Sequence, residues 1–490
     1  MILPFLIFWP LLISLVLLII RTKSAKELAL GASLIELAVS LVAAAQFDKT
    51  MEVPFAVNYP WITSLGINFS VGMDGISLLL VLLTTVLVPF IILSTFSSSD
   101  KRPSNFYGLI LLMQMALVGV FTARDGFLFY LFWEMALIPI YFICLIWGGE
   151  ERGKITLKFF IYTLAGSLLM LVALVYLYYQ TPGSHTFDIT ALYNAGRSLP
   201  SSIQSTVFWA MFLAFAIKMP IFPFHTWQPD TYSVAPVQGT MLLSAIMLKM
   251  GIYGVIRWLI PVVPQGVNEW GQVAIVLSVI GIIYASCIAI VQRDFKRLVA
   301  YSSIAHVGLI SAGLFTLSKI GMQGAMIQML SHGIIVFAMF YIVEIFFERT
   351  RTRSLSQLGG IRNVAPQLSS VFIIVMLGSV ALPLTSGFVG EFLLINSLVH
   401  YQFAIGAIAG VTVILGAVYM LRTFQRAMSG ETNPTTAGFI DLTTQEKMVL
   451  YPVVILIIVI GIYPTPLLEI SEAAVDNILT VFTDVSVSVK

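Results

Sequence analysis

Long apolar runs separated by short polar or charged breaks repeat along the whole chain. A helix rises about 1.5 Å per residue, so roughly 20 apolar residues cross the ~30 Å hydrocarbon layer of a bilayer. On that ruler the pattern predicts about fourteen spans, near 2–20, 28–45, 72–95, 106–122, 126–147, 155–179, 204–226, 238–259, 270–291, 297–317, 322–347, 368–396, 402–424 and 447–465. The longest polar connections, 46–71 and 180–203, are too short for a separate domain, so 1–490 reads as one membrane domain. The first run begins at the initiator methionine without a basic segment ahead of it. Arg21, Lys23 and Lys26 follow it rather than a small-residue cleavage site, so it reads as a retained span and not a signal peptide.

Composition agrees with an all-α polytopic membrane protein. Hydrophobic residues make up 58% of the 490 and charged residues only 10%, where a soluble domain needs about a quarter charged to cover its surface. The net charge of +2, with no basic run carrying interleaved aromatics, excludes nucleic acid as a partner. The two cysteines, Cys144 and Cys287, both fall in apolar segments and read as small packing residues. The sign of the loops sets the orientation, because cytoplasmic loops are enriched in Lys and Arg. Six of the 26 Lys and Arg fall after even-numbered spans or at the chain end (Lys49, Arg124, Arg197, Arg257, Lys319, Lys490), and Lys218 and Lys249 lie within spans. The remaining 18, Lys101 and Lys296 among them, follow odd-numbered spans, which puts both termini on the outer side.

Charges within spans are the candidate chemistry. A Lys, Arg or Asp at a helix centre costs about 2.5–3.5 kcal/mol on insertion scales, so four of them facing lipid would cost about 12 kcal/mol, comparable with the whole stability of an ordinary domain. They must face partners or internal water. The set is Glu36, Glu134, Lys218, Lys249, Glu344 and Glu391, with His225, His306 and His332. Glu134 stands mid-span, five residues before Pro139, and Lys218 and Lys249 are its natural partners. A neighbouring carboxylate holds a buried lysine charged, and separating the two lets the lysine lose its proton; a static ion pair gluing helices is the alternative. Ser302 and His306 share one helix face, as do Gln328 and His332, and histidine both donates and accepts near neutral pH. With no nearby cysteine or HxxxH spacing, the histidines do not read as metal ligands. Glu36 and Glu344 lie nearer helix ends and read as interfacial or interhelical.

Two spans are interrupted. In LAFAIKMPIFPFHTWQPD, Pro220 and Pro223 each remove a backbone donor and clash with the carbonyl four residues back, with Lys218 just before the break and His225 just after it. Pro383, Ser386, Gly387 and Gly390 interrupt span twelve just before Glu391. Freed carbonyls at membrane depth are tolerated only beside water or polar groups. The two breaks are five spans apart, so each is the fourth helix of its unit if spans 4–8 and 9–13 are paired units, a pattern that points to inverted-repeat transporters. No dinucleotide fingerprint, phosphate loop, CxxC or haem motif occurs, so redox chemistry is expected elsewhere.

FWEMALIPIYF, KMPIFPFHTWQPD, APVQGTMLLSAIMLKMG, RLVAYSSIAHVG and SGFVGEF resemble, in order along the chain, the signature blocks of the antiporter-like subunits of bacterial respiratory complex I, the NADH:quinone oxidoreductase. The resemblance runs from about Phe106 to Arg426 and is closest to the M-type branch: the related L and N types carry lysine where Glu391 stands, and L is a longer chain ending in a lateral helix. It implies two inverted five-helix repeats (106–260 and 270–426) with broken helices 7 and 12, preceded by three spans in 1–100 and followed by a last span and short tail in 427–490. It implies proton transfer through Glu134, Lys218, Lys249, His306, His332 and Glu391, driven by quinone reduction elsewhere. No cofactor is implied in this chain. Flavin, iron–sulfur clusters and quinone belong to partner subunits, and L-like, N-like and small membrane subunits are the implied neighbours in a bacterial inner membrane. A multi-subunit Na⁺/H⁺ antiporter shares the fold and the lysines and is the alternative; a scaffold whose charges are only glue is a third reading. One departure stands out. The family's loop after the first break reads like LPDAHVEAP, whereas residues 228–236 here read QPDTYSVAP, without its His and Glu.

Overall fold

A computed structural model describes residues 2–49, 51–96 and 102–488; Lys101 and Lys490, counted above, lie outside the described residues. Among the described residues, twelve helices are long and apolar enough to cross a membrane. They coincide with twelve of the predicted runs. The other two are the interrupted ones: the helix expected over 204–226 stops at Lys218 (Ser201–Lys218), and the run 368–396 divides into Pro366–Ser379 and Ser386–Tyr401.

The apolar pattern says which residues enter the bilayer, and burial says which helices face it. Gly75–Leu93, Pro103–Thr122, Val237–Leu259, Phe295–Leu314 and Lys319–Thr350 are buried on nearly all sides and form the interior. Around them, helices such as Ile2–Ile19, Arg152–Gln180, Pro264–Val291 and Phe403–Met428 bury one face and expose Ile19, Val172, Val291 or Ile414 on the other. An apolar surface of this extent is a lipid-facing one. Since lipid is as apolar as leucine, helices pack here through small residues and polar pairs: Ser14 Oγ donates to Gly108 O at 2.7 Å between the first and fourth spans. Cys144 is buried as expected, but Cys287 is exposed on the outer ring of helices. It lies on the exposed face of Pro264–Val291, whereas Ala285 and Ala289 on the other face are buried.

Helix starts follow N-cap chemistry. Asp74 accepts from Ser77 N, Asp294 from Arg297 N, and Asp125 from Phe127 N and Leu128 N. Burial pushes the Asp125 carboxyl from 3.8 up to about 6, against the pull of three backbone N–H donors and aided by the nearby Asp188. The folded protein therefore keeps a proton that the unfolded chain releases. This contribution to stability is full below pH 3.8 and is lost as pH rises through about 6. Thermal unfolding in detergent should show that loss between those limits, and Asp125→Asn should flatten it.

Three surface elements were not predicted. The connection 46–71 contains an antiparallel hairpin, Val57–Ile62 with Ile67–Val71, pairing Val57 with Val71. The connection 180–203 contains a short helix, Ile189–Ser198. The expected short tail forms the helix Thr465–Ser488, which packs on Gly75–Leu93 and Lys319–Thr350. Its carboxylates Glu469, Glu472 and Asp476 pair with Lys49 and Lys319 at 2.7–2.8 Å. Gly75 admits this helix: a Cβ there would lie 1.7 Å from Ile470 O.

Candidate functional site

The first broken helix rearranges its own hydrogen bonds. Pro220 has no N–H for Ala216 O, so Ile221 N reaches back to that carbonyl at 2.9 Å. Ile217 O, which loses Ile221 as donor, accepts instead from the Trp227 indole at 2.9 Å. Two carbonyls of the break thus find donors within the protein, and Lys218 stands at its apex, 3% exposed. Its ammonium lies over the Trp133 ring, 5.4 Å from the centroid. Trp133 precedes Glu134, which sits where its span bends at Ala136, four residues after Phe132 and three before Pro139. Glu134 and Lys218 interact electrostatically, but no ion pair within 4.0 Å joins them, and Glu134 Oε1 is buried without a hydrogen bond. The static pair that glue would require is not formed.

Lys249 lies at the centre of Val237–Leu259, fully buried. On either side the helix widens to π turns, Leu242–Met247 and Val255–Leu259, with Leu248 N bonding Leu243 O and Ile260 N bonding Val255 O, each at 3.0 Å. Such turns gather at functional sites because they loosen the carbonyl ladder. Lys249 Nζ donates to Ser244 O at 2.8 Å and lies 2.9 Å from His332 Nδ1. The His332 and His306 rings are 5.9 Å apart, centre to centre. His306 Nδ1 approaches Glu391 Oε1 to 2.8 Å, off the line a hydrogen bond needs, so neither ring nitrogen of His306 is satisfied. Gln328 Nε2 donates to the same carboxylate oxygen at 3.3 Å. Lys249, His332, His306 and Glu391 therefore form one buried row from four helices. A cavity of about 10 Å³, lined by Ser302, His306, Gln328, His332 and Glu391, has room for about one water.

The second break delivers Glu391 to this row. Val380–Thr385 leaves the helical path through Pro383, with Ala381 and Leu384 at positive φ; each such non-glycine residue costs about 1–3 kcal/mol. Ser331 Oγ donates to Ser386 O at 2.9 Å, tying the new helix to the one that carries His332. Gly390 lets the two backbones close: a Cβ there would lie 2.3 Å from Gln328 Oε1.

Other expectations change. No hydrogen bond joins Lys218 to Lys249 among the described residues, although their helices pack directly, with Gly251 against Phe215 O and Met219. The His225 ring packs on Phe222 and Tyr284. Glu36 is fully buried mid-helix rather than interfacial, with neither oxygen hydrogen-bonded. Arg257 and Lys296, counted as loop charges, are both buried: Arg257 forms a short ion pair with Asp74, and Lys296 donates to Ala235 O at 2.7 Å. The i, i+4, i+8 spacing of Lys249, Tyr253 and Arg257 was the available signal for the first of these.

The sequence pattern of the family described as NADH:quinone oxidoreductase/Mrp antiporter, TM, matches residues 123–416, which hold both breaks and the whole buried row. The chain belongs to this family. NADH-quinone oxidoreductase subunit M of Rickettsia conorii is 41% identical over 439 residues, 89% of this chain and 88% of that protein. Subunit M of Rhodobacter capsulatus is 37% identical over 93% of this chain and 91% of its own length. The F(420)H(2) dehydrogenase subunit M of Methanosarcina mazei is 37% identical over 96% and 97%. Among solved structures, a chain of respiratory complex I from Thermus thermophilus with bound NADH superposes with a TM-score of 0.90 at 28% identity, covering 98% of this chain and all of that one. A chain of the Mrp complex from Dietzia sp. gives 0.87 at 20% identity, over 98% and 99%, a likeness of fold alone. The antiporter-like, multi-pass membrane architecture expected from the sequence is thus the one this family has.

Proposed function

We propose that the chain is a proton-translocating, antiporter-like membrane subunit of a quinone-reducing complex of the NADH:quinone oxidoreductase type. The observation that carries this reading is the buried row Lys249–His332–His306–Glu391, which ends at a broken helix. Every group in it accepts and donates a proton, and fixed partners for each would have served glue better. Charge movement driven by quinone reduction in a neighbouring module alters the separation of Glu134 and Lys218. Lys218 then releases its proton toward Lys249, the histidines relay it, and Glu391 passes it outward. Flavin, iron–sulfur clusters and quinone sit in partner subunits, and L-like, N-like and small membrane subunits are the neighbours. The chain makes fourteen crossings, counting the two broken helices: three in 1–100, two inverted five-helix units (106–260 and 270–426) and a last span in 427–490. It lies in a bacterial inner membrane with both termini outside.

Lys218→Ala tests the relay. In sealed vesicles the assembled complex should lose proton pumping by this subunit, and pumping at the normal rate counts against the scheme. Copurification in mild detergent separates the two family settings: redox subunits support this reading, and small antiporter subunits in their place support a Na⁺/H⁺ antiporter.

A further inference from the structure

Among the described residues no ion pair and no hydrogen bond holds the Lys218 ammonium, although the residue is buried. A buried charge left without a partner is strongly destabilising. What meets it is an aromatic face. The centroid of the Trp133 ring lies 5.4 Å from the ammonium, within the ~6 Å over which a ring attracts a cation. Exclusion of water strengthens that attraction.

That ring is held from three helices. Trp133 is itself buried. One turn back, the Phe129 ring tilts against it at 5.6 Å and stacks in turn on Trp258 at 4.7 Å. Phe215 meets it edge-on, at 5.6 Å and 66°. Stacked and edge-to-face pairs of this kind fix the orientation of each ring. Phe215 stands three residues before Lys218 on the broken helix, and Trp258 lies on Val237–Leu259, the helix that carries Lys249. Phe215 also closes on that helix, where a Cβ on Gly254 would come within 2.4 Å of its ring. The column Trp258–Phe129–Trp133–Phe215 therefore joins the helices of Glu134, Lys218 and Lys249.

Trp133 and Glu134 are consecutive on one helix, so their side chains leave it about 100° apart. They offer Lys218 two partners of unequal strength. A carboxylate in contact would hold the proton on the lysine more firmly than a ring face does. The geometry points to Trp133 as the positioning residue for proton transfer at Lys218: its ring face keeps the ammonium in place and clear of Glu134, free to release its proton. This rests on the proton-translocating reading above. The ring itself gains and loses no proton, and the transfer still runs from Lys218 toward Lys249. A residue that only filled space would need bulk there and no negative face.

Tryptophan analogues carrying one, two or three ring fluorines, placed at position 133 alone, keep the shape and weaken the negative face stepwise. In the assembled complex in sealed vesicles, proton pumping should fall with each fluorine. Trp133→Leu, which has no such face, should cost about tenfold, and Trp133→Phe should recover part of that loss. Lys218→Ala is measured alongside. Full pumping by the trifluorinated protein or by Trp133→Leu, with Lys218→Ala stalled, overturns the role of Trp133 and leaves the relay standing. Full pumping by Lys218→Ala overturns the relay and this role with it. Should Trp133→Leu fail to assemble, the fluorinated series decides alone, because its members fill the same space as the parent.

Discussion

Lys249→Met should cut proton pumping by about a hundredfold or more while the complex assembles at its normal level. Methionine matches the lysine stem in length and flexibility but carries no proton, so the link between Ser244 O and His332 Nδ1 is cut without opening a hole. His332 loses a partner at a cost of about 1–3 kcal/mol, and removing a buried ammonium offsets it, so stability should stay within about 2 kcal/mol of the parent. A scaffold makes the opposite forecast: pumping kept and stability lost. Proton uptake by sealed vesicles, with thermal unfolding of the purified complex, separates the two.

Asp74→Ala should give the largest loss of stability. Asp74 caps Gly75–Leu93 by accepting from Ser77 N at 3.0 Å, and it pairs with Arg257 at the end of Val237–Leu259. The pair therefore fixes the helix that carries Lys249 against an interior neighbour. Arg257 is 9% exposed, and with its carboxylate gone the guanidinium is left buried and unpaired, a loss of about 3–5 kcal/mol. The lost cap adds about 1 kcal/mol. The double variant Asp74→Asn, Arg257→Met, which leaves no orphaned charge and keeps a capping side chain, should recover most of the loss. Unfolding midpoints of the three proteins in one detergent check the ranking; equal midpoints for Asp74→Ala and the parent would show that the pair holds nothing.

The sequence was most legible where the bilayer imposes a rule. Span length, the two proline breaks and the charges near mid-membrane all follow from the cost of leaving backbone or charge unsatisfied in hydrocarbon, and each was found in the residues named. Helix partners were less legible. Gln328 and His332 share a face as the spacing implies, lining one cavity, but the partner of Gln328 was not legible: it donates to Glu391, because Gly390 lets the second broken helix come close enough. Arg257 and Lys296 looked like loop charges because charge counts place a residue by its position along the chain and not by what packs over it.

By itself the sequence determined that this is a multi-pass helical membrane protein, where its spans run and break, and which side chains carry ionisable groups into the membrane. Those properties depend on transfer costs paid residue by residue, and any fold of the chain must meet them. Only the tertiary structure decided that Lys249, His332, His306 and Glu391 form one row while Lys218 and Glu134 stand apart from it, and that Glu36 and His225 lie off it. Contacts between helices distant in sequence depend on the shapes and small residues at each crossing, which no single stretch of sequence contains.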